Sequence, residues 1–241
     1  MSLIRLHKYL AQCGIASRRT CETYIAEGRI TVDEVTITTL GTKIDPNMSV
    51  VRFDNQIVKP KPVRWIMLNK PPKYVSTAYD PSGKPSFLEL LPEDKQYLFA
   101  VGRLDFLSEG LLLITNDGES ANKLIHPRYE IEKEYQVISP DKMSTHQMDQ
   151  MVKGCMIDDE FLSVKSIQQE DNKRAEYHTY SIILMEGKNR HIRKMFTKMK
   201  IRVKKLKRVR IGPIKLSTLP KGKWRYLSEK EIDLIKNLTK K

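Results

Sequence analysis

The chain holds only three cysteines in 241 residues, Cys13, Cys21 and Cys155, and no CxxC pair among them. An odd number at irregular spacing argues against a disulfide framework and against a structural zinc site, so each is expected to act as a small, partly buried apolar residue. The five histidines are scattered with no close pair, which gives a metal centre little support. There is no Walker lysine loop, no GxGxxG and no HExxH, so the commonest short signals for nucleotide hydrolysis, dinucleotide binding and zinc hydrolysis are missing. No apolar run approaches the roughly 20 residues that cross a bilayer, and no basic-then-apolar leader opens the sequence. Fixed-period repeats and low-complexity tracts are also lacking. A soluble, cytoplasmic protein with no metal and no membrane partner is expected.

What the chain has in excess is positive charge. Its 43 Lys and Arg outnumber 29 Asp and Glu, for a formal charge of +14. Such a surplus creates a broad positive potential that draws polyanions, with nucleic acid the leading partner. With 40% hydrophobic residues the chain can bury one sizeable core and keep material for a small accessory domain.

Residues 1–60 read as that accessory module. Leu3, Leu6, Tyr9 and Leu10 recur at near-helical spacing. Ser17 is a candidate N-cap for a second helix carrying Cys21, Tyr24 and Ile25 inward, with Gly28 ending it. Short strands around Ile30–Val32 and Val50–Phe53, separated by turns at Gly41 and Pro46, follow. Arg5, Lys8, Arg18, Arg19 and Arg29 crowd around the helices, where they form either a phosphate-facing surface or a solvated one. The stretch KPKPVR at 59–64 reads as an extended linker, which places a second domain at 61–241.

In that second part, strands are expected at 65–68, 97–102, 111–115, 135–138, 161–167, 177–185 and 203–211. Helices are expected near 87–91, after the N-cap Asp117, at 144–152, at 189–199 and at 229–238. Strands and helices are interspersed without a regular alternating beat, so the class is α+β with a mixed, mainly antiparallel sheet. The polar loop GRLDFLSEG is held between two apolar strands, which fixes its groups better than a free surface loop would.

Asp105 in that loop has two physical readings, a turn former or ion-pair half on one side and a catalytic carboxylate on the other. The residues alone leave both open. The segment Lys188–Arg210 contains twelve Lys or Arg and no Asp or Glu. With Lys188, Arg190, Lys204 and Lys205 among its charges, it reads as a second RNA contact, although phosphate contacts position a partner without specifying sequence.

An independent observation bears on Asp105. GRLDFLSEGLLLITNDGE at 102–119 resembles the signature of the bacterial pseudouridine synthases that modify small- and large-subunit ribosomal RNA. RLHKYLAQCGIASRR at 5–19 resembles the start of the S4-type RNA-binding domain these enzymes carry. IMLNKP at 66–71, EKEYQV at 132–137, EGKNRHIRKMF at 186–196 and GPIKLSTLPKGKWRYLS at 212–228 resemble their later motifs, so the likeness spans nearly the whole chain.

The resemblance implies an S4-like domain joined to a pseudouridine synthase domain. It implies Asp105 as catalyst, Arg103 steering nearby, Tyr135 stacking on the target uracil and Arg193 pairing with the catalytic carboxylate. It also implies ribosomal RNA or a precursor particle as partner, no cofactor and a monomeric state. Ser108 stands where threonine is more usual, Phe106 and Leu107 are more apolar than usual, and His191 replaces a common Gln or Glu; His191 is expected at the surface or facing RNA. The competing reading is a catalytically silent RNA-binding assembly factor, and a polyanion-binding membrane-surface protein is a third class.

Overall fold

The structure is a computed structural model that describes residues 3–92, 97–170 and 176–238. The chain divides into two compact units, one of residues 1–64 with 93–98 and the other of residues 65–92 with 99–241.

The first unit holds β1 (Ile4–Arg5), α1 (Leu6–Gln12), α2 (Arg18–Ala26), β2 (Ile30–Val32), β3 (Val35–Ile37), β4 (Lys43–Ile44), β5 (Val51–Phe53) and β6 (Gln56–Ile57). Leu3 does not join the first helix: Ile4 and Arg5 are drawn into a strand paired with β4, and Leu3 is left exposed. Ser17 caps α2 by accepting a hydrogen bond from the Thr20 amide at 3.2 Å. The four-stranded sheet has the order β3-β2-β5-β6. Its hairpins turn at Asp33-Glu34 and Asp54-Asn55, whose positive φ values match the twist of the flanking strands. Leu6, Leu10, Cys21, Ile25, Ile30 and Val51 close a small core against the sheet.

The second unit is built on β7 (Trp65–Lys70), β8 (Phe99–Val101), β9 (Glu109–Thr115), β10 (Lys133–Ser139), β11 (Cys155–Ile157), β12 (Glu160–Leu162), β13 (Ser166–Glu170), β14 (His178–Leu184), β15 (Lys205–Ile211), β16 (Ile214–Lys215) and β17 (Trp224–Tyr226). Its helices are α3 (Gly118–Ile125), α4 (Thr145–Lys153), α5 (His191–Lys198) and α6 (Glu229–Leu238). The main sheet runs β13-β14-β10-β15-β9-β7-β17, with β16 on β15 and β8 on β9. Every pairing in it is antiparallel except β15 with β9. The architecture is α+β with a mixed, mainly antiparallel sheet. β7 and β9 are buried along their whole length, which is why their stretches 65–68 and 111–114 are continuously apolar rather than alternating.

The single strand expected over 161–167 is two. Asp158 and Asp159, both at positive φ, fold Cys155–Leu162 into a hairpin, and the chain then re-enters the main sheet as β13. Asp117 caps α3 through the amides of Glu119 and Ser120. Ser144 and Gln147 form a reciprocal capping box on α4. Among the described residues no helix is long and apolar enough to cross a membrane.

Candidate active site

One transverse rank of the main sheet organises the site. Tyr135 on β10 lies opposite Arg208 on β15, Arg208 opposite Gly110 on β9, and Gly110 opposite Lys70 on β7. A bulge between Glu134 and Tyr135 sets this register, since Glu134 pairs with Arg210 and Val209 has no opposite number. Gly110 has φ of +105°, and a Cβ there would lie 2.3 Å from the Arg208 carbonyl oxygen and 2.8 Å from its amide nitrogen. Only glycine lets β15 approach β9 this closely.

The loop that links β8 to β9 carries Asp105 across the end of this rank. Ser108 closes the loop by donating its amide to the Asp105 carbonyl at 3.0 Å, and its hydroxyl lies 3.4 Å from Asp105 Oδ2. From the first turn of α5, Arg193 places Nε 3.8 Å from Asp105 Oδ2. That distance is an ion pair and not a hydrogen bond. The same guanidinium donates Nη2 to the Leu107 carbonyl at 3.2 Å and to Ser108 Oγ at 3.4 Å, so it ties loop and carboxylate together. Burial lowers the Arg193 pKa while Asp105 raises it, yet an arginine stays cationic under any physiological condition.

A second clamp comes from the segment after β7. The buried Ser76 hydroxyl accepts the Leu104 amide at 3.0 Å and donates to the Leu104 carbonyl at 2.9 Å, and the Lys73 amide donates to the Phe106 carbonyl at 2.6 Å. The residues on either side of Asp105 are therefore fixed through their backbones. A cavity of about 110 Å³ opens beside them, lined by Arg103, Asp105, Lys133, Tyr135, Arg190 and Arg208 among others. Tyr135 is nearly buried, Arg103 is exposed at the rim, and Arg208 is fully buried. Of the residues expected at the site, Arg103, Asp105, Tyr135 and Arg193 are gathered here.

Several participants were not foreseen. Lys70 is fully buried, with Nζ donating to the carbonyls of Pro71 at 2.8 Å and Tyr74 at 2.9 Å. Burial lowers its pKa to about 8, partly opposed by the charge of Asp105. Glu109 is buried between the ammonium groups of Lys205 at 2.9 Å and Lys221 at 2.7 Å. Burial alone would raise its pKa, but the two lysines outweigh it and hold the carboxyl below the usual value. Ser76 and Arg208 gave no separate sequence signal. Lys133 did, since it lies two residues before Tyr135 and so shares its face of β10.

The basic residues sort differently from the charge count. Arg5, Arg18 and Arg19 are exposed and Lys8 is half-buried on the first unit. Arg29 is turned to internal use: its Nε donates to Asp54 at 2.9 Å, its Nη2 pairs with the same carboxylate, and its guanidinium lies over Tyr24 and Phe53 at 4.4 and 4.6 Å. Along 188–210, Lys188 meets Glu186, Lys194 meets Asp158 and Glu160, Arg202 meets Asp141, and Arg210 meets Glu132 and Glu134. Lys205 is held by Glu109, and Lys204 sits 3.5 Å over the Tyr177 ring. Arg190, Lys198 and Lys200 are exposed. His191 is 3% exposed, which corrects its placement at the surface, and it lines the same cavity as Tyr135 and Asp105. It is the first residue of α5 and packs inward beside Ile192, and burial lowers its pKa.

Among the described residues no group of three or more His, Cys, Asp or Glu could hold a metal ion. The family model for RNA pseudouridylate synthase matches residues 64–198, and that for the S4 domain matches residues 4–50. A protein of Aquifex aeolicus named an uncharacterized RNA pseudouridine synthase is 37% identical over 235 residues, covering 96% of this chain and 93% of its own length. Ribosomal large subunit pseudouridine synthase B of Pseudomonas aeruginosa is 35% identical over 238 residues, covering 96% of this chain and 61% of its own. A crystal structure of a pseudouridylate synthase shares the fold with a TM-score of 0.68 at 23% identity, over 96% of this chain and 99% of that one. The chain thus belongs to the RNA pseudouridylate synthase family, carries an S4 domain near its N-terminal end and is an RNA pseudouridine synthase.

Proposed function

We propose that the protein isomerises one or a few specific uridines of ribosomal RNA, free or in a precursor particle, with Asp105 as the catalytic carboxylate. The observation that carries this reading is the juxtaposition of Asp105 with the Arg193 cation at the mouth of a cavity walled by Tyr135. The naming of the Pseudomonas aeruginosa relative for the large ribosomal subunit supports ribosomal RNA as the substrate class.

The reaction breaks the C1′–N1 bond of uridine and joins C1′ to C5, with no change of oxidation state. No cofactor is required by that balance. Asp105 either attacks carbon or takes a proton from the ribose, and Arg193, with Nε 3.8 Å from its carboxylate, orients it for both. The target uridine is flipped out of its helix or loop at a cost of a few kcal/mol. Stacking on Tyr135 returns roughly 1 to 3 kcal/mol of that, and Arg103 at the rim steers the RNA backbone. Residues 1–60 act as the recognition module and residues 61–241 as the catalytic domain. Arg5, Lys8, Arg18, Arg19, Arg190 and Lys204 supply phosphate contacts, and the enzyme works in the cytoplasm as a monomer.

Asp105→Asn tests the assignment, because it keeps the side-chain shape and replaces the carboxylate by an amide that is a poor nucleophile and base. The variant should stay folded, bind unmodified ribosomal RNA with parent-like affinity and form essentially no pseudouridine by direct site mapping. Parent-like turnover would sink the catalytic assignment. A parent inactive on every folded ribosomal RNA substrate would favour a silent assembly factor.

A further inference from the structure

We propose that Arg208 and Lys133 form a cationic subsite in the cavity wall that binds a carbonyl oxygen of uracil and stabilises the base as an anion while it is detached from ribose. The inference rests on the pseudouridine reading above.

Arg208 is 2% exposed and sits on a central strand of the sheet. Its Nε donates to the Leu111 carbonyl at 2.8 Å and its Nη1 to the Arg103 carbonyl at 3.3 Å. Its Nη2 has no hydrogen-bond partner among the described residues, although it is buried. A guanidinium taken out of water and satisfied only by neutral carbonyls is costly to keep, and an anion arriving at the cavity would relieve that cost.

Lys133 lies on the same face of β10 as Tyr135, lines the same cavity and donates Nζ to the Ile131 carbonyl at 3.0 Å. An ammonium has three donors, so two remain. Burial, and after it the charge of Arg208, brings the Lys133 pKa down to about 8. No carboxylate offsets that shift. Those nearby are already engaged, Asp105 with Arg193 and Glu109 with Lys205 and Lys221. Two cations short of an acceptor thus face a cavity whose other wall is Tyr135.

Such a pair fits detached uracil. When the C1′–N1 bond breaks, its electron pair stays on N1 and the charge spreads to O2 and O4, the atoms a guanidinium and an ammonium can bind. A half-turn about the N3–C6 axis then exchanges N1 with C5 and, with the same motion, O2 with O4. One fixed cationic subsite therefore meets a carbonyl oxygen before and after the turn. C5 next supplies an electron pair to C1′ and releases its proton, and N1 takes up a proton, which completes an isomerisation with all atoms and electrons conserved.

The test uses the full chain and an unmodified ribosomal RNA fragment that the parent converts, made with either uridine or 5-fluorouridine at the target. Lys133→Met and Arg208→Gln should each slow single-turnover conversion of uridine by about 10²- to 10³-fold, the usual effect of removing one donor to a developing anion. RNA Kd should stay within about twofold of the parent for each variant, as expected for residues that act on the detached base rather than on the phosphates. Fluorine draws charge from the ring and makes the base a better leaving group. The deficit in glycosidic cleavage should therefore shrink at least about tenfold with 5-fluorouridine, a response that a merely structural role would not give. Unchanged rates in folded variants would overturn the proposal. So would an equal deficit for both nucleosides, or weakened RNA affinity with the saturated rate intact, which is the signature of a phosphate contact. Should Arg208→Gln fail to fold, Lys133→Met and Arg208→Lys decide the question. An inactive parent would overturn the pseudouridine reading and the subsite with it, whereas an active parent with unaffected variants overturns the subsite alone.

Discussion

Replacing Ser76 by alanine removes one oxygen atom that touches no part of the cavity, and it should still disable the enzyme. The hydroxyl accepts the Leu104 amide and donates to the Leu104 carbonyl, and both groups belong to a buried residue directly before Asp105. Each orphaned buried group costs about 1 to 3 kcal/mol. The variant should therefore lose roughly 2 to 6 kcal/mol of stability, against the 5 to 15 kcal/mol typical of a whole domain, and its rate is read on the folded fraction. The larger effect is on rate, since a displacement of about 1 Å at a catalytic group costs about 10²-fold. Urea unfolding and single-turnover kinetics at saturating RNA measure the two quantities separately. Ser76→Thr, which retains the hydroxyl, should recover most of the rate. Parent-like turnover in Ser76→Ala would refute the idea that this clamp positions Asp105.

Gly110→Ala should destabilise the protein by about 3 kcal/mol and lower Tm by about 6 to 12 °C, because the new methyl group meets Arg208 backbone that cannot step aside. Glu109 titrates below its ordinary 4.5 when folded, so its contribution is present above the unfolded pKa and lost as pH falls through the depressed value. Lys205→Met with Lys221→Met should remove that contribution and move acid unfolding to higher pH, as followed by circular dichroism. Lys198→Ala with Lys204→Ala should reduce the slope of log K against log salt for RNA by about 2 if both touch phosphate. Lys205→Ala should leave that slope unchanged, since its charge is already matched by Glu109.

The elements and their caps were legible because periodicity and capping are local. Ser17, Asp117 and Ser144 sit at the helix starts the pattern indicates. Leu3 was misplaced because the pairing of Ile4 and Arg5 with Lys43 and Ile44 is not local. The single strand drawn through 161–167 failed because two aspartates at positive φ made a hairpin, a role usually signalled by glycine or asparagine. The motif residues Asp105, Tyr135 and Arg193 could be named without their geometry. Arg208 could not, because in a run of twelve basic residues nothing marks the one that folds inward. That depends on the register of β15 against β9 and β10, partners far away in sequence. The pairing of Arg29 with Asp54 and the burial of His191 are hidden for the same reason, since the sequence does not show which distant segments lie next to them.

The parallel pairing of β15 with β9 has a consequence for timing during synthesis. Arg208 reaches the Leu111 carbonyl from 97 residues farther along the chain, and at about 5 to 20 residues per second that strand is made some 5 to 20 s after β9. During that interval a nascent chain already carries the S4 domain and Asp105, but it lacks the strand that joins β10 to β9 in the rank that shapes the cavity. RNA attraction thus precedes catalytic competence. A chain that pauses before residue 205 should hold RNA without being able to modify it.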